Sequence, residues 1–213
     1  MVGSGKEFVL VDPLSDVDRF MKAVRSEGDR IVGVIDTHVH ADHASGTRKI
    51  QALTDCPLYM YQTSPVKFPF SPLEERMYDL AGVKIQVLHT PGHAPEHVSL
   101  LVEEKSVLTG DTLLVQDVGR VDLGRGDPDQ LYDSLFGKLL KLEDRVEVFP
   151  GHVGKAHHVS ADISSTIGHE RKSNPALQVK TREEFVRYMT EGWPPKPANY
   201  EHYVKLNCGI EVE

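Results

Sequence analysis

Cysteine is scarce in this chain of 213 residues: Cys56 and Cys208 are the only two. Two thiols do not make a disulfide framework, and a reducing cytoplasm is the expected setting. No apolar run approaches the roughly 20 residues that a membrane-spanning helix needs. The first six residues lack the apolar core of a signal peptide and the Arg-rich look of a transit peptide, so no membrane partner is expected. Positive charge is also short. Lys and Arg number 24 against 32 Asp and Glu, a formal net charge of −8, which argues against nucleic acid as the main partner, because phosphate binding needs basic patches. The chain shows no internal repeat and no clear linker. One domain over residues 1–213 is expected, with residues 175–213 forming a helical and extended tail.

What is present is histidine, and it is concentrated. Asp36-Thr37-His38-Val39-His40-Ala41-Asp42-His43 follows the apolar run Ile31 to Ile35, which reads as a buried strand. In an extended segment, residues i and i+2 point to the same side, so His38, His40 and Asp42 are expected to face one point. Imidazole and carboxylate together suit zinc or iron rather than calcium.

The rest of the chain alternates strands and helices. Glu7 to Val11 reads as a strand closing at Asp12-Pro13. Val17, Phe20, Met21 and Val24 stand at helical spacing. Ser45 is expected to cap a short helix over 47–53, and 58–61 alternates like a strand. Residues 62–76, with three prolines and Phe68 and Phe70, read as an irregular loop with apolar anchors. Strands are expected at 83–88, 98–102 and 106–108, the last two joined by Glu103-Glu104-Lys105. Asp127-Pro128 is an N-cap signal ahead of Leu131, Leu135, Leu139 and Leu142. A strand at 146–149, a helix over 164–172, a capping box at Thr181 and Glu184 and a Pro-rich segment at Trp193 to Pro197 complete the chain. Trp193 is expected to pack on the core.

Seven ligand-type residues stand just after strands: His38, His40, Asp42, His43, His93, Asp111 and His152. Loops at strand ends carry chemistry that a rigid sheet positions. Seven ligands exceed one tetrahedral zinc. They would hold two adjacent metals bridged by a carboxylate, or one metal with the remainder orienting ligands and substrate. His97 reads as an orienting or structural residue, and His157 and His158 as loop residues.

Thr37 to His43, Pro91-Gly92-His93, Gly110-Asp111-Thr112 and Pro150-Gly151-His152 together resemble the metal motifs of the metallo-β-lactamase superfamily. That resemblance implies an α/β fold, a four-layer αββα sandwich with the metal site at one edge. Further segments resemble the persulfide dioxygenases: Leu88 to His93, Glu96 to Ser99, Asp117 to Arg120 with Asp122-Leu123, Ser164 to Gly168, and Asn174 to Leu177. The nearest branch is the one whose catalytic domain is often fused to rhodanese domains, although no rhodanese domain is present in this sequence. The resemblance implies one Fe(II) held by His38, His93 and Asp111, with His40, Asp42, His43 and His152 around them. It implies a thiol persulfide such as glutathione persulfide as substrate, with O₂ as oxidant. Arg120 would hold a glutathione carboxylate by a forked contact, or instead form a salt bridge to Asp122. A homodimer and a separate rhodanese are the protein partners the resemblance brings to mind.

The sequence departs from the family after His152. Val153-Gly154-Lys155-Ala156 stands where glutathione-using members have Asp-Tyr, so a phenol that would reach metal or substrate is missing. The alternative is a glyoxalase II-type thioester hydrolase with two Zn(II). There His38, His40 and His93 hold one ion, Asp42, His43 and His152 the other, and Asp111 bridges. A third reading is a metal-dependent sensor or scaffold.

Overall fold

The computed structural model describes residues 1–26, 28–123, 125–152 and 162–211. The chain clusters into two compact units, residues 1–85 with 197–213, and residues 86–196. Each unit has a hydrophobic cluster of its own.

The first unit opens with β1 (Val2–Ser4) and β2 (Glu7–Val11), followed by α1 (Asp18–Ser26), β3 (Arg30–Ile35) and α2 (Thr47–Thr54). Then come β4 (Leu58–Tyr61), β5 (Ser71–Leu73) and β6 (Met77–Leu80). Its sheet runs β1-β2-β3-β4-β5. Only β1–β2 is antiparallel; β2 through β5 pair in parallel. Parallel strands are covered on both faces, which is why β3 reads as a continuous apolar run. Val17, Met21 and Val24 are buried, as their helical spacing requires, and they pack in one cluster with Leu10, Ile31 and Val34.

Two expectations change here. Residues 62–76 are not wholly irregular, because β5 adds to the sheet beside β4. Its Pro72 is tolerated because β5 is an edge strand, and Phe68 and Phe70 do pack against the core. The residue capping α2 is Gly46, with no side-chain cap. Ser45 stands one residue earlier; its Oγ accepts from the N–H of Thr47, the first residue of α2, at 3.2 Å and donates to the Asp36 carboxylate.

The boundary between the units falls inside β7 (Val83–His89). It is followed by β8 (Val98–Val102), β9 (Ser106–Gly110), β10 (Leu113–Leu114), β11 (Asp117–Val118) and α3 (Pro128–Gly137). After these come β12 (Glu147–Pro150), β13 (Ser165–Thr166), α4 (Ile167–Ser173) and α5 (Arg182–Thr190). The second sheet has the order β13-β12-β9-β8-β7-β6. Its β8–β9 hairpin turns at Glu103 and Glu104, both left-handed at φ 52° and 55°, the twist that tight hairpins favour.

Asp127 caps α3 by accepting from the N–H groups of Asp129 and Gln130. The helix does not reach Leu142. It ends at Gly137, Lys138 leaves helical geometry at φ −123°, and Leu139–Lys141 form a 3₁₀ turn that still buries Leu139. The next helix starts at Ile167 rather than Ser164. Ser165 and Thr166 first pair with β12, and Thr166 then caps the helix by accepting from His169 N–H. Trp193 packs against the second cluster, as expected. Beyond the Pro-rich segment the chain forms a further helix, α6 (Tyr200–Asn207), within residues 175–213, where a helical and extended tail was expected. Among the described residues no helix is long and apolar enough to cross a membrane.

Candidate metal centre

In the first unit, the loop after β3 bends rather than extends. His38 and His40 are 2% exposed, and their ring centroids lie 4.3 Å apart with the planes tilted by 57°; the His40 and His43 centroids are also 4.3 Å apart. Ligand atoms of His40, Asp42 and His43 lie within 4.8 Å of one another. Asp36 serves the backbone of this loop: it accepts from Ser45 Oγ and from Thr47 Oγ1 at 2.9 Å, pinning the start of α2. Asn207 at the end of α6 closes the loop from the other side. Its Nδ2 donates to the carbonyls of His40 and His43 at 2.9 and 2.8 Å, and its Oδ1 accepts from Ser45 N–H at 2.9 Å.

Asp12, which no metal motif contains, is the hub of this unit's polar network. It sits at the end of β2 with a left-handed φ of 48°, a conformation that Asp tolerates better than most residues. Its carboxylate accepts from Thr37 N–H at 2.7 Å, from Thr37 Oγ1 at 2.8 Å and from His40 Nε2 at 3.2 Å. Burial alone would raise the Asp12 pKa, but the His40 charge and these hydrogen bonds hold it below the usual carboxylate value. Burial would likewise lower the His40 pKa, and the Asp12 and Asp36 carboxylates hold it well above the usual imidazole value instead.

In the second unit, His93 and Asp111 are neighbours, with Nε2 and Oδ2 3.7 Å apart. Glycines make this approach possible. Gly92 has φ 141°, and a Cβ there would meet Leu131 Cα at 2.4 Å, so the turn before His93 lies directly on α3. A Cβ at Gly119 would fall 1.7 Å from the carbonyl oxygen of Asp111. His93 Nδ1 is 2.8 Å from the Arg120 carbonyl. A carbonyl only accepts, so Nδ1 carries the proton and Nε2 the lone pair. Asp111 is held by two hydrogen bonds. His152 Nδ1 donates to Oδ1 at 2.7 Å, and the Asp111 N–H donates to His97 Nε2 at 2.9 Å. His97, fully buried, bonds through Nδ1 to the hydroxyls of Thr90 and Thr112 at 3.0 Å each. His97 is thus an orienting residue, one of the two readings the sequence left open.

Arg120 makes the salt bridge that the sequence offered as the alternative to substrate binding. Nε and Nη2 donate to the two oxygens of Asp122 at 2.6 and 2.8 Å, and Nη2 also donates to the Pro194 carbonyl at 3.0 Å. The guanidinium lies 5.5 Å from the Trp193 ring centroid. Among the described residues Nη1 has no acceptor. Nearby, buried Glu96 takes a two-point contact from Arg125 at 3.2 and 2.7 Å, an anchor for this charged loop that the sequence motif did not explain. The departure at Val153-Gly154-Lys155-Ala156, together with His157 and His158, lies outside the described residues.

The donor set fits a metal cation. His40 Nδ1 and His43 Nε2 are buried and have no hydrogen-bond partner among the described residues. Such atoms are costly to bury unless something accepts their lone pairs. The two sets of ring nitrogens and carboxylates suit iron or zinc. A metal on His40 Nδ1 would displace a proton there while Nε2–H stays on Asp12.

Comparison with known proteins agrees with this chemistry. The model of the metallo-β-lactamase superfamily matches residues 1–80 and 72–152. The mitochondrial persulfide dioxygenase ETHE1 of Bos taurus is 30% identical over 212 residues, covering 97% of this chain and 81% of that protein. The crystal structure of ETHE1 from Myxococcus xanthus superposes with a TM-score of 0.89 at 31% identity, over 97% of this chain and 91% of that one. The hydroxyacylglutathione hydrolase GloC of Haemophilus influenzae is 27% identical, over 83% of this chain and 90% of that protein.

Proposed function

The chain belongs to the metallo-β-lactamase superfamily and is an enzyme of the persulfide dioxygenase type; within that frame, we propose that it oxidises glutathione persulfide, or a related small thiol persulfide, using one Fe(II). The reaction consumes the persulfide, O₂ and water and yields the thiol, sulfite and two protons. His38, His93 and Asp111 are the proposed iron ligands, a two-His, one-carboxylate set that leaves positions open. Iron held there would supply Lewis-acid and redox activation of the persulfide and O₂.

The observation that carries the single-metal reading is the division of labour at Asp111. Oδ1 accepts from His152 Nδ1 at 2.7 Å, while Oδ2 faces His93 Nε2. In the proposed site one oxygen would face the metal and the other a residue that orients it. His93 is fixed in turn by the Arg120 carbonyl. Arg120 is proposed to offer Nη1 to a carboxylate of the thiol carrier while Nε and Nη2 stay on Asp122. Neither Cys56 nor Cys208 forms a disulfide, and a reducing cytoplasm is the proposed setting. A separate rhodanese would be a chemically suitable supplier of persulfide.

A second reading rests on His40, Asp42 and His43. Their ligand atoms gather within 4.8 Å, and two buried ring nitrogens in that group have no hydrogen-bond partner among the described residues. That arrangement favours a second ion, and with it thioester hydrolysis of the GloC kind. Elemental analysis of protein expressed without added metal separates the two, run beside O₂ uptake with glutathione persulfide and hydrolysis of a glutathione thioester. One iron per chain with O₂ uptake is expected. Two zinc ions per chain with thioesterase activity and no O₂ uptake would replace the first reading by the second.

A further inference from the structure

In the second unit two loops share one histidine. His93 lies in the loop between β7 and β8, and its Nδ1–H ends on the Arg120 carbonyl at 2.8 Å. Arg120 lies in the loop between β11 and α3. That second loop returns to the first at two further points, one on each side of His93. The Asp127 N–H donates to the Gly92 carbonyl at 2.7 Å, and Arg125 grips Glu96 through Nη1 and Nη2 at 3.2 and 2.7 Å. The loop is closed tightly enough to carry position from Arg125 back to Arg120. A Cβ on Gly126 would fall 2.2 Å from the Val121 carbonyl oxygen and 2.5 Å from Val121 Cα, so residues 121 and 126 touch through their backbones.

We propose that Glu96 and Arg125 are a positioning pair for the metal centre: they clamp the Arg120 carbonyl onto His93 Nδ1–H and so keep the Nε2 lone pair on the side of Asp111, 3.7 Å from its Oδ2. The proposal rests on the reading of His93 as a metal ligand, which the one-iron and two-zinc arrangements share. The pair differs from an ordinary surface ion pair, which parts easily in water and contributes little. The Glu96 side chain is only 1% exposed, and a carboxylate that deep is costly to leave without its partner. Among the described residues Glu96 is the one partner of the Arg125 guanidinium, and a two-point fork fixes direction as well as distance. The Asp127 bond to Gly92 alone would let the loop pivot about a single contact. The second tie at Glu96 removes that freedom, and the Arg120 carbonyl lands on the histidine between the two.

The test uses the full chain. Fe(II) and Zn(II) affinities are measured by chelator competition, His93 ring-nitrogen shifts in metal-free protein by long-range proton–nitrogen correlation, and stability by thermal melting. Arg125→Ala and Glu96→Gln are each expected to weaken both metals about ten- to hundredfold, as groups that orient metal ligands do. Each should also move His93 away from its single Nδ1–H form. Arg125→Lys keeps the charge without the fork and should fall between wild type and Arg125→Ala. Because the two residues act as one device, the double variant Glu96→Gln, Arg125→Ala should cost no more affinity than the worse single change. Phe185→Leu alters the fully buried core of the same unit. It should lower the melting temperature and leave the affinities and His93 shifts as in wild type, which separates positioning from general loss of stability. Arg125→Ala that lowers the melting temperature alone, or additive losses in the double variant, would overturn the proposal. So would Phe185→Leu losing affinity in step with its stability. Finding two zinc ions and no iron would replace the dioxygenase reading and leave the role of the pair standing, because His93 is a ligand there too.

Discussion

The Nδ1–H of His152 donates to Oδ1 of Asp111 at 2.7 Å. This contact makes unequal demands on the ligand-type residues. A group that orients a ligand costs affinity when removed, whereas a ligand costs the ion. His152→Ala is expected to weaken iron binding about ten- to hundredfold with the stoichiometry retained at saturating metal. Asp111→Ala, His93→Ala and His38→Ala are expected to bind no iron under the same conditions. Anaerobic Fe(II) titration checks this series. Equal loss in all four variants would place His152 among the ligands and favour two ions.

Asn207 gives a second expectation, far from the motifs in sequence. It makes three hydrogen bonds to the backbone of the histidine loop, two as donor and one as acceptor. Asn207→Ala leaves those loop groups unsatisfied, at about 1–3 kcal/mol for each group that water does not reach. Lower thermal stability and weaker metal binding are expected together. Asn207→Asp keeps the acceptor and loses both donors, so it should fall between wild type and Asn207→Ala in melting temperature.

The contrast between Asn207 and His38 shows what the sequence makes legible. His38, His40, Asp42, His43, His93, Asp111 and His152 stand out because each follows a short apolar strand with a turn residue nearby. Their chemistry is uncommon enough to register one residue at a time. Asp12 and Asn207 are ordinary polar residues whose partners are 25 and more positions away, and no local pattern marks them. The fold divides in the same manner. Buried parallel strands are plain as apolar runs, as in Ile31 to Ile35. The break in α3 at Lys138 was hidden because Leu139 keeps the helical spacing while leaving the helix. The bounds of helix α6 within the tail were hidden by the Pro-rich segment before it and by the absence of any fully buried residue along it.

Gly92 carries the third expectation. Its φ of 141° belongs to glycine, and a Cβ would meet Leu131 Cα and Cβ at 2.4 Å. Both the backbone and the packing oppose a side chain here. Gly92→Ala is expected to destabilise the protein by more than about 1 kcal/mol. Because Gly92 adjoins His93, the variant should also lose metal affinity, whereas Leu131→Ala should lose stability with metal affinity largely kept. Thermal melts with and without Fe(II) distinguish them through the size of the metal-induced shift.

The last expectation concerns Arg120 and Asp122, and it separates structure from recognition. The Arg120 guanidinium, by hydrogen bond and charge, holds the Asp122 carboxyl below the usual carboxylate value. A carboxyl depressed in the folded state contributes stability above its unfolded pKa and loses it as pH falls through the folded one. The stability difference between wild type and Asp122→Asn should therefore be full at neutral pH and shrink as pH falls below about 4. Thermal midpoints across the acid range measure it. Arg120→Lys removes the planar fork but keeps the charge. If the side chain only braces Asp122 and Pro194, Arg120→Lys should lower the melting temperature and leave the relative KM values of glutathione, coenzyme A and cysteine persulfides unchanged. If Nη1 also meets the carrier carboxylate, KM for glutathione persulfide should rise selectively, with a loss of about ten- to hundredfold in kcat/KM for a charge-assisted contact of roughly 1.5–3 kcal/mol. Iron content should stay at the wild-type level in that case. The selective rise is the expected result, because Asp122 and Pro194 together occupy Nε and Nη2 but leave Nη1 unengaged among the described residues.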